Sequence, residues 1–340
     1  MAGRKFGLDP GTMNLRICQN GHGLIVNEKN LIAVQKKNII AVGNEAYDMF
    51  ERTPASIKIA KPVRDGVIAD IDLLSKATEM ILRKNSSVSS FMRNNHFYIA
   101  VPTDVTEVEK RAYFNLIMQS SFNTRHVYLV EKPIAVAIGE NLAISGEDPI
   151  MTVDMGAGST EISIMMMNGI VVSRLLKEGG FTINENICRA VKEEYSLLIG
   201  EKTAEYLKFE LGNAIPDSKR TVVAYGRDLI TGMPSHAEIP VSLVFEAMKT
   251  YFIHVVKTVH NMIGKVPPAQ AAFIMQHGIF FTGGASMTPK LPELFESILQ
   301  LPVKFSESPA DSAIRGIAKM MQNPSAYRNM NFSIKEASFE

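Results

Sequence analysis

Two short runs of this chain place a carboxylate at the end of an apolar segment and follow it with small and hydroxyl residues, a layout suited to gripping phosphate. In Met151–Gly169, MTVDMGAGSTEISIMMMNG, Asp154 closes an apolar run, and Gly156, Ala157, Gly158, Ser159 and Thr160 form a turn whose backbone N–H groups can converge on an anion. Phe6–Gly21, FGLDPGTMNLRICQNG, repeats the order: apolar strand, Asp9, Gly11, Thr12, second strand, Asn-Gly turn. Asn-Gly is the strongest short hairpin signal, so each loop should join two antiparallel strands and open no helix. This argues against a P-loop and a Rossmann turn, both of which need a helix N-terminus directly after the glycines. One such loop by itself is more simply a plain hairpin whose glycines serve a tight turn. Two of them, with Asp154 lying 145 positions after Asp9, suggest two similar domains facing each other across a cleft, the carboxylates holding a hydrated Mg²⁺ between nucleotide phosphates.

The whole chain has room for that arrangement. Its 340 residues suffice for two cores, and 46% apolar and 21% charged residues are ordinary for a soluble α/β protein. A net charge of +1 offers no electrostatic footprint for nucleic acid. The N-terminus lacks a signal-peptide layout and no run supplies the roughly 18 apolar residues of a membrane span, so a cytoplasmic protein is expected. Cys18 and Cys188 are too few for a disulfide framework or zinc site and read as core packing.

The positioning elements follow from periodicity and punctuation. After the first hairpin comes a β region over 23–42, a small helix from Gly43 to about Phe50, a turn-rich connection over 61–70, and a helix capped by Asp72 whose Leu73, Leu74, Ala77, Met80 and Ile81 share a face. The polar loop 86–95 carries Phe91 and Met92 beside Arg83, Lys84 and Arg93; it could dip into an anionic headgroup layer or fold back on its own domain. His96–Pro102 is a strand, and Thr106 with Glu109 has the layout of a capping box. A strand over 127–130 then delivers Glu131, which could orient an attacking water, and Lys132, which could hold a phosphate or be solvated, before a helix over 134–141 with Pro133 at its start.

In the second half, helices are expected over 183–195, over 204–211 with Thr203 as cap, over 242–262, over 291–299 and over 309–321. Glu205 and Lys208 lie three apart on one helix face, a spacing usual for a solvated surface pair. Pro267-Pro268 reads as the start of a connection, and Gly278–Ser286 as a strand running into a glycine turn. Beyond Asn323 the sequence is polar and aperiodic, a frayed tail.

Taken together, the loops resemble the nucleotide-binding fold shared by actin, sugar kinases and the large heat-shock chaperones, and within it the MreB family of bacterial actins. The resemblance runs from Phe6 to about Met321 through GLDPGT, LIVNE, KPVRDGVIADID, AVPTDVTEVEKRA, YLVEKPIAVAIG, VDMGAGSTEIS, YSLLIGEKTAEYLKFELG, GRDLITGMP and FFTGGAS. It implies an α/β, actin-like (ribonuclease H-like) fold of two similar domains, each a mixed β-sheet flanked by helices, with ATP and Mg²⁺ between them. Domain I would span 1–149, with a small subdomain at about 32–72, and be completed by a C-terminal helix at 309–323; domain II would span 150–308, with a small subdomain at about 181–254; 324–340 would be a tail.

Carried over position by position, Asp9, Gly11, Thr12, Met13 and Asn14 would form the first phosphate loop and Asp154, Gly156, Ala157, Gly158 and Ser159 the second, with Asp9 and Asp154 toward the metal. Ala204, Glu205 and Lys208 would serve ribose and adenine, Gly283, Gly284, Ala285 and Ser286 would frame the base, and Glu131, Lys132 and Thr160 would stand at the catalytic positions. Phe91 and Met92 fall where the family carries a membrane-inserting loop. The implied protein polymerises into paired protofilaments on the inner face of the cell membrane and directs cell shape with other MreB paralogues and cell-wall elongation proteins, without nucleic acid.

Four positions depart from the family pattern. Lys132 stands where a second glutamate normally touches the proline, Ala157 replaces a glycine, Pro10 a leucine and Phe181 an acidic residue. A charged lysine cannot accept a proton, so slow hydrolysis is expected, and with it the alternative of a degenerate paralogue that co-polymerises with an active relative. A small-molecule kinase of the same fold is a further alternative, disfavoured because no acceptor-binding insertion is evident and the matching blocks extend beyond the nucleotide loops.

Overall fold

The computed structural model describes residues 4–85, 94–215 and 219–327, and the backbone of 334–336. In chain order, the first half contains β1 (Lys5–Pro10), β2 (Asn14–Gln19), β3 (Gly23–Lys29), β4 (Ile32–Gln35), β5 (Asn38–Val42), α1 (Asn44–Met49), β6 (Ile57–Ala60), β7 (Val63–Arg64), β8 (Val67–Ile68), α2 (Ile71–Asn85), β9 (Asn95–Val101), α3 (Glu107–Met118), β10 (Thr124–Glu131) and α4 (Lys132–Gly139). The second half contains β11 (Ile150–Met155), β12 (Thr160–Met166), β13 (Gly169–Leu176), α5 (Gly180–Tyr195), β14 (Leu197–Leu198), α6 (Glu201–Leu211), β15 (Thr221–Asp228), β16 (Pro234–Pro240), α7 (Val241–Ile263), α8 (Pro268–His277), β17 (Ile279–Thr282), α9 (Leu291–Leu299), β18 (Val303–Phe305), α10 (Ser312–Gln322) and β19 (Ile334–Glu336).

The two halves build the same sheet. One runs β3-β2-β1-β9-β10, the other β13-β12-β11-β17-β18. In each, three antiparallel strands are followed by two parallel ones, with β1 beside β9 and β11 beside β17. The inner strands are covered on both faces: in β12 all but the last residue are buried, Thr160, Glu161 and Ser163 included, whereas the outer β3 and β13 stay partly exposed. Burying each large aliphatic or aromatic side chain on these strands contributes roughly 1.5–3 kcal/mol. The two similar domains expected from the paired hairpins are therefore present.

The last helix returns to the first sheet. Ile317 and Met321 of α10 press on Gly7 of β1, where an added Cβ would lie 2.4 Å from Ile317. Gly139 of α4 and Gly316 of α10 let these helices cross closely, because a Cβ at Gly139 would meet the Ser312 carbonyl at 2.0 Å and one at Gly316 the Ala135 carbonyl at 1.7 Å. Cys18 is buried and Cys188 half-buried; both are free thiols, and burial pushes them up to about 12 and about 11.

Several local expectations are corrected. Asp70, not Asp72, caps α2, its Oδ1 accepting from Leu73 N at 3.0 Å. Thr203 lies inside α6, whose N-cap is Gly200. The turn between β12 and β13 is Met167-Asn168, both at positive φ, 51° and 60°, one residue earlier than the Asn-Gly reading, and the strand resumes at Gly169. Pro267-Pro268 opens a helix, with Pro268 at its start. The tail is not uniformly frayed, because β19 pairs antiparallel with β10. The capping box is as expected: Thr106 Oγ1 accepts from Glu109 N, and Glu109 accepts from Thr106 N at 2.7 Å.

Candidate functional site

The two hairpin loops meet. Gly158 faces Thr12 so closely that a Cβ there would lie 2.7 Å from the Thr12 side chain. Within each loop the same turn recurs: a Cβ at Gly11 would stand 2.9 Å from the Asn14 carbonyl, and one at Gly156 2.8 Å from the Ser159 carbonyl. The Gly156 N–H closes that second turn by donating to the Ser159 carbonyl at 2.9 Å. Between the loops lies a cavity of about 560 Å³, lined at one end by Asp9, Gly11, Thr12, Met13, Asn14, Asp154, Gly156, Ala157 and Ser159.

Asp9 and Asp154 are the last residues but one of β1 and β11 and are buried in the cleft wall. Lys132, the first residue of α4, reaches across from the other domain and donates to Asp154 Oδ2 at 2.7 Å, its side chain 23% exposed. Burial lowers the pKa of this lysine, but the carboxylates of Asp154, Asp9 and Glu161 outweigh it and drive the pKa up. It is a fixed cation. Glu161, opposite Asp154 in the β11–β12 register, lines the same cavity and accepts from Thr103 N and Thr103 Oγ1, each at 2.5 Å. Burial pushes its carboxyl up to about 7, against the opposing pull of Lys132 and the Thr103 hydrogen bonds.

At the other end, Glu205 and Lys208 of α6 line the cavity with Gly283, Gly284 and Ala285. They are not a solvated pair: Glu205 Oε2 accepts from the Tyr47 hydroxyl at 2.9 Å, and Lys208 Nζ donates to the Gly180 carbonyl at 3.1 Å. Burial lowers the Lys208 pKa, with Glu205 and Glu201 opposing. Gly283 has φ 85°, and a Cβ there would lie 2.3 Å from the Met155 carbonyl and 2.5 Å from Asp154 Oδ1, so only glycine brings the β17 turn against the second loop. A Cβ at Gly284 would meet nothing within 4 Å, leaving flat backbone open to the cavity.

Other candidates stand elsewhere. Thr160 faces the domain core, fully buried, with Oγ1 donating to the Glu178 carbonyl at 2.9 Å and 2.6 Å from the Tyr251 hydroxyl. Glu131 caps α4 by position without a side-chain cap bond and does not line the cavity. Ala204 is buried in the second-domain core, and Ser286 is buried with Oγ donating to the Gly283 carbonyl at 2.7 Å; neither lines the cavity. Phe91 and Met92 lie outside the described residues. Sequence reading missed Glu161, Lys29, Arg16 and Phe209 as cavity residues. The strand alternation held the signal for one of them, since in β12 Glu161 must face opposite to Thr160. Among the described residues no trio of His, Cys, Asp or Glu stands close enough to cage a metal, and no helix is long and apolar enough to cross a membrane.

The family model described as MreB/Mbl protein matches residues 3–329. The chain is 33% identical to the cell shape-determining protein Mbl of Bacillus subtilis (strain 168), over 95% of this chain and 97% of that one. It is also 33% identical to the cell shape-determining protein MreB of Escherichia coli (strain K12), over 95% and 94%. Among solved structures, MreB 5 of Spiroplasma citri bound to AMPPNP superimposes with a TM-score of 0.91 at 28% identity, covering 98% of this chain and 99% of that one.

Proposed function

The chain belongs to the MreB/Mbl family of cell shape-determining actin homologues, and we propose that it binds ATP with Mg²⁺ between its two domains, polymerises, and turns the nucleotide over slowly. The observation that carries this reading is the opposition of two matching loops, Asp9 to Asn14 and Asp154 to Ser159, around one cavity. Backbone N–H groups of both loops would hold the phosphates. Glu205 and Lys208 would contact ribose and adenine, and Gly283, Gly284 and Ala285 the base. The MreB 5 neighbour bound to AMPPNP supports a nucleotide in this cleft.

Asp9 and Asp154 fit Mg²⁺, which keeps several waters and takes one or two carboxylates together with phosphate oxygens. Bound there, the ion would neutralise phosphate charge. Lys132 already occupies one oxygen of Asp154, so ion and lysine compete for that carboxylate while both attract the phosphates. Lys132 stays charged and cannot take a proton from water, which removes the base expected at that position. Glu131 is the remaining acid of the pair, but outside the cavity lining. Binding without rapid turnover follows, and a co-polymerising partner of a faster relative is the second reading that the Lys132–Asp154 pair favours.

The same reading divides the chain into domain I, 1–149 completed by 309–323, and domain II, 150–308, supported by the seating of α10 on β1 and α4. It assigns the protein to filaments on the inner membrane face, built from paired protofilaments and acting with cell-wall elongation proteins. Sedimentation with and without ATP, Mg²⁺ and liposomes tests it: ATP-dependent pelleting is expected, and the absence of filaments under every nucleotide, concentration and lipid condition would overturn it.

A further inference from the structure

The first hairpin carries a cation whose hydrogen-bonding capacity its surroundings leave unspent. Arg16 lies on β2 directly opposite Asp9 in the β1–β2 register, so the two share a face of the sheet, and it lines the cavity. Its side chain is 14% exposed, and Nε stands 2.9 Å from Asp311 Oδ1. The N–H is not aimed at that oxygen, which leaves Nε a buried donor without a hydrogen-bond acceptor. The two Nη groups have no acceptor among the described residues either, so the guanidinium, the side chain richest in donors, is held by charge alone. Lys29 of β3 lines the same cavity, its ammonium 5.0 Å from the centroid of the Tyr47 ring and without an acceptor among the described residues. Burial lowers its pKa against the pull of Glu205, as expected of a cation that has lost water without gaining a full counter-charge.

The second hairpin has a comparable charge beside its aspartate. Lys132 Nζ gives one N–H to Asp154 Oδ2 at 2.7 Å and also lines the cavity, with further donors to spend. Each of the two aspartates that fit Mg²⁺ therefore already has a protein cation next to it. Nucleoside triphosphates ordinarily rely on Mg²⁺ to offset the charge of their phosphates. Here a guanidinium, which can fork onto two phosphate oxygens, and an ammonium, which acts as a point charge, stand at the two loops where that offset is needed. Withdrawn from water, both act more strongly than they would at the surface. As a purely structural residue Arg16 would only pin β2 to the start of α10. For that role the misaimed Nε is poorly placed, and its partner Asp311 is 38% exposed, where an ion pair contributes little.

We propose that Arg16 and Lys132 supply the positive charge for the phosphates, so that the cleft holds a nucleoside triphosphate as its metal-free anion nearly as tightly as the Mg²⁺ complex. The inference rests on the nucleotide reading above and names the charge form of the ligand that this site accepts.

The test is an equilibrium titration of the full chain with a fluorescent ATP analogue, once in excess Mg²⁺ and once in EDTA. The Kd of the parent in EDTA should lie within about tenfold of that in Mg²⁺, and a larger loss would overturn the proposal. Arg16→Met and Lys132→Met should each raise the ratio of the EDTA Kd to the Mg²⁺ Kd by about fivefold or more, since each removes a charge-assisted contact that matters most when no metal is bound. A smaller rise in either variant would strike that residue from the proposal. Arg16→Lys, which keeps the charge, should recover most of the ratio. Asp311→Asn should leave the ratio within about twofold of the parent; a rise equal to that of Arg16→Met would make Arg16 a structural pin and overturn its part. Where a variant does not fold, the ratio of the parent decides. Binding in Mg²⁺ alone sinks only this proposal, whereas binding in neither buffer overturns the nucleotide reading and the proposal together.

Discussion

The two hairpins that frame the cleft share a backbone and differ in charge. In the first, Asp9 stands in register with Arg16, which pairs at 2.9 Å with Asp311. In the second, Asp154 stands in register with Glu161, so two acids sit side by side on neighbouring strands. The first hairpin carries its own cation in the cavity wall, whereas the second takes one from the other domain, Lys132. On the proposed reading, the duplicated scaffold would fix where phosphate is held, and the residues added to each copy would fix what else happens there. Whatever its part in the proposed slow turnover, Lys132 is the counter-charge beside Asp154 and Glu161 in the second hairpin.

The comparison breaks most visibly at the aspartates. Asp154→Asn leaves Lys132 without its hydrogen-bonded partner and should cost about 3 kcal/mol in urea unfolding, while Asp9→Asn should cost about 1 kcal/mol or less. Equal losses would mean that the asymmetry has no energetic content. A second difference is pH dependence. Glu161 titrates near 7 in the folded chain and at 4.5 when free, so between those values the folded state binds more protons than the unfolded one. Stability should therefore fall as pH rises from about 4.5 to about 7, by on the order of 3 kcal/mol. Glu161→Gln should flatten that slope and Arg16→Met should keep it, as followed by unfolding midpoints across the window. The shared backbone gives the smallest effect and sharpens the likeness. Gly11→Ala and Gly156→Ala each push a Cβ to within 3 Å of a carbonyl three residues on, and each should cost about 1 kcal/mol. A large difference between them would show that the two turns are not equivalent.

Much of this was legible in the sequence. The repeated Asp-x-Gly loops reported two similar domains, and the structure has two sheets of one topology. The long α7 and the capping box at Thr106 followed from periodicity and local hydrogen-bond chemistry. Other features were hidden for physical reasons. Pro267-Pro268 signals a turn and a helix start equally, and only packing of α8 decides between them. The family resemblance implies a catalytic position for Thr160, yet a strand's side chains alternate, and placing Asp154 and Glu161 at the cavity sends Thr160 to the core beside Tyr251. The Lys132–Asp154 pair and the contacts of Lys61, Glu51 and Tyr47 with α6 join residues across the cleft, which no local pattern reports.

Single-turnover phosphate release with saturating ATP and Mg²⁺, compared between the parent and Lys132→Glu, tests the central claim most directly. Lys132 as counter-charge in place of a base predicts slow release by the parent and an increase of about 100-fold in Lys132→Glu. Rapid release by the parent, unchanged in Lys132→Glu and abolished in Glu131→Ala, would contradict it.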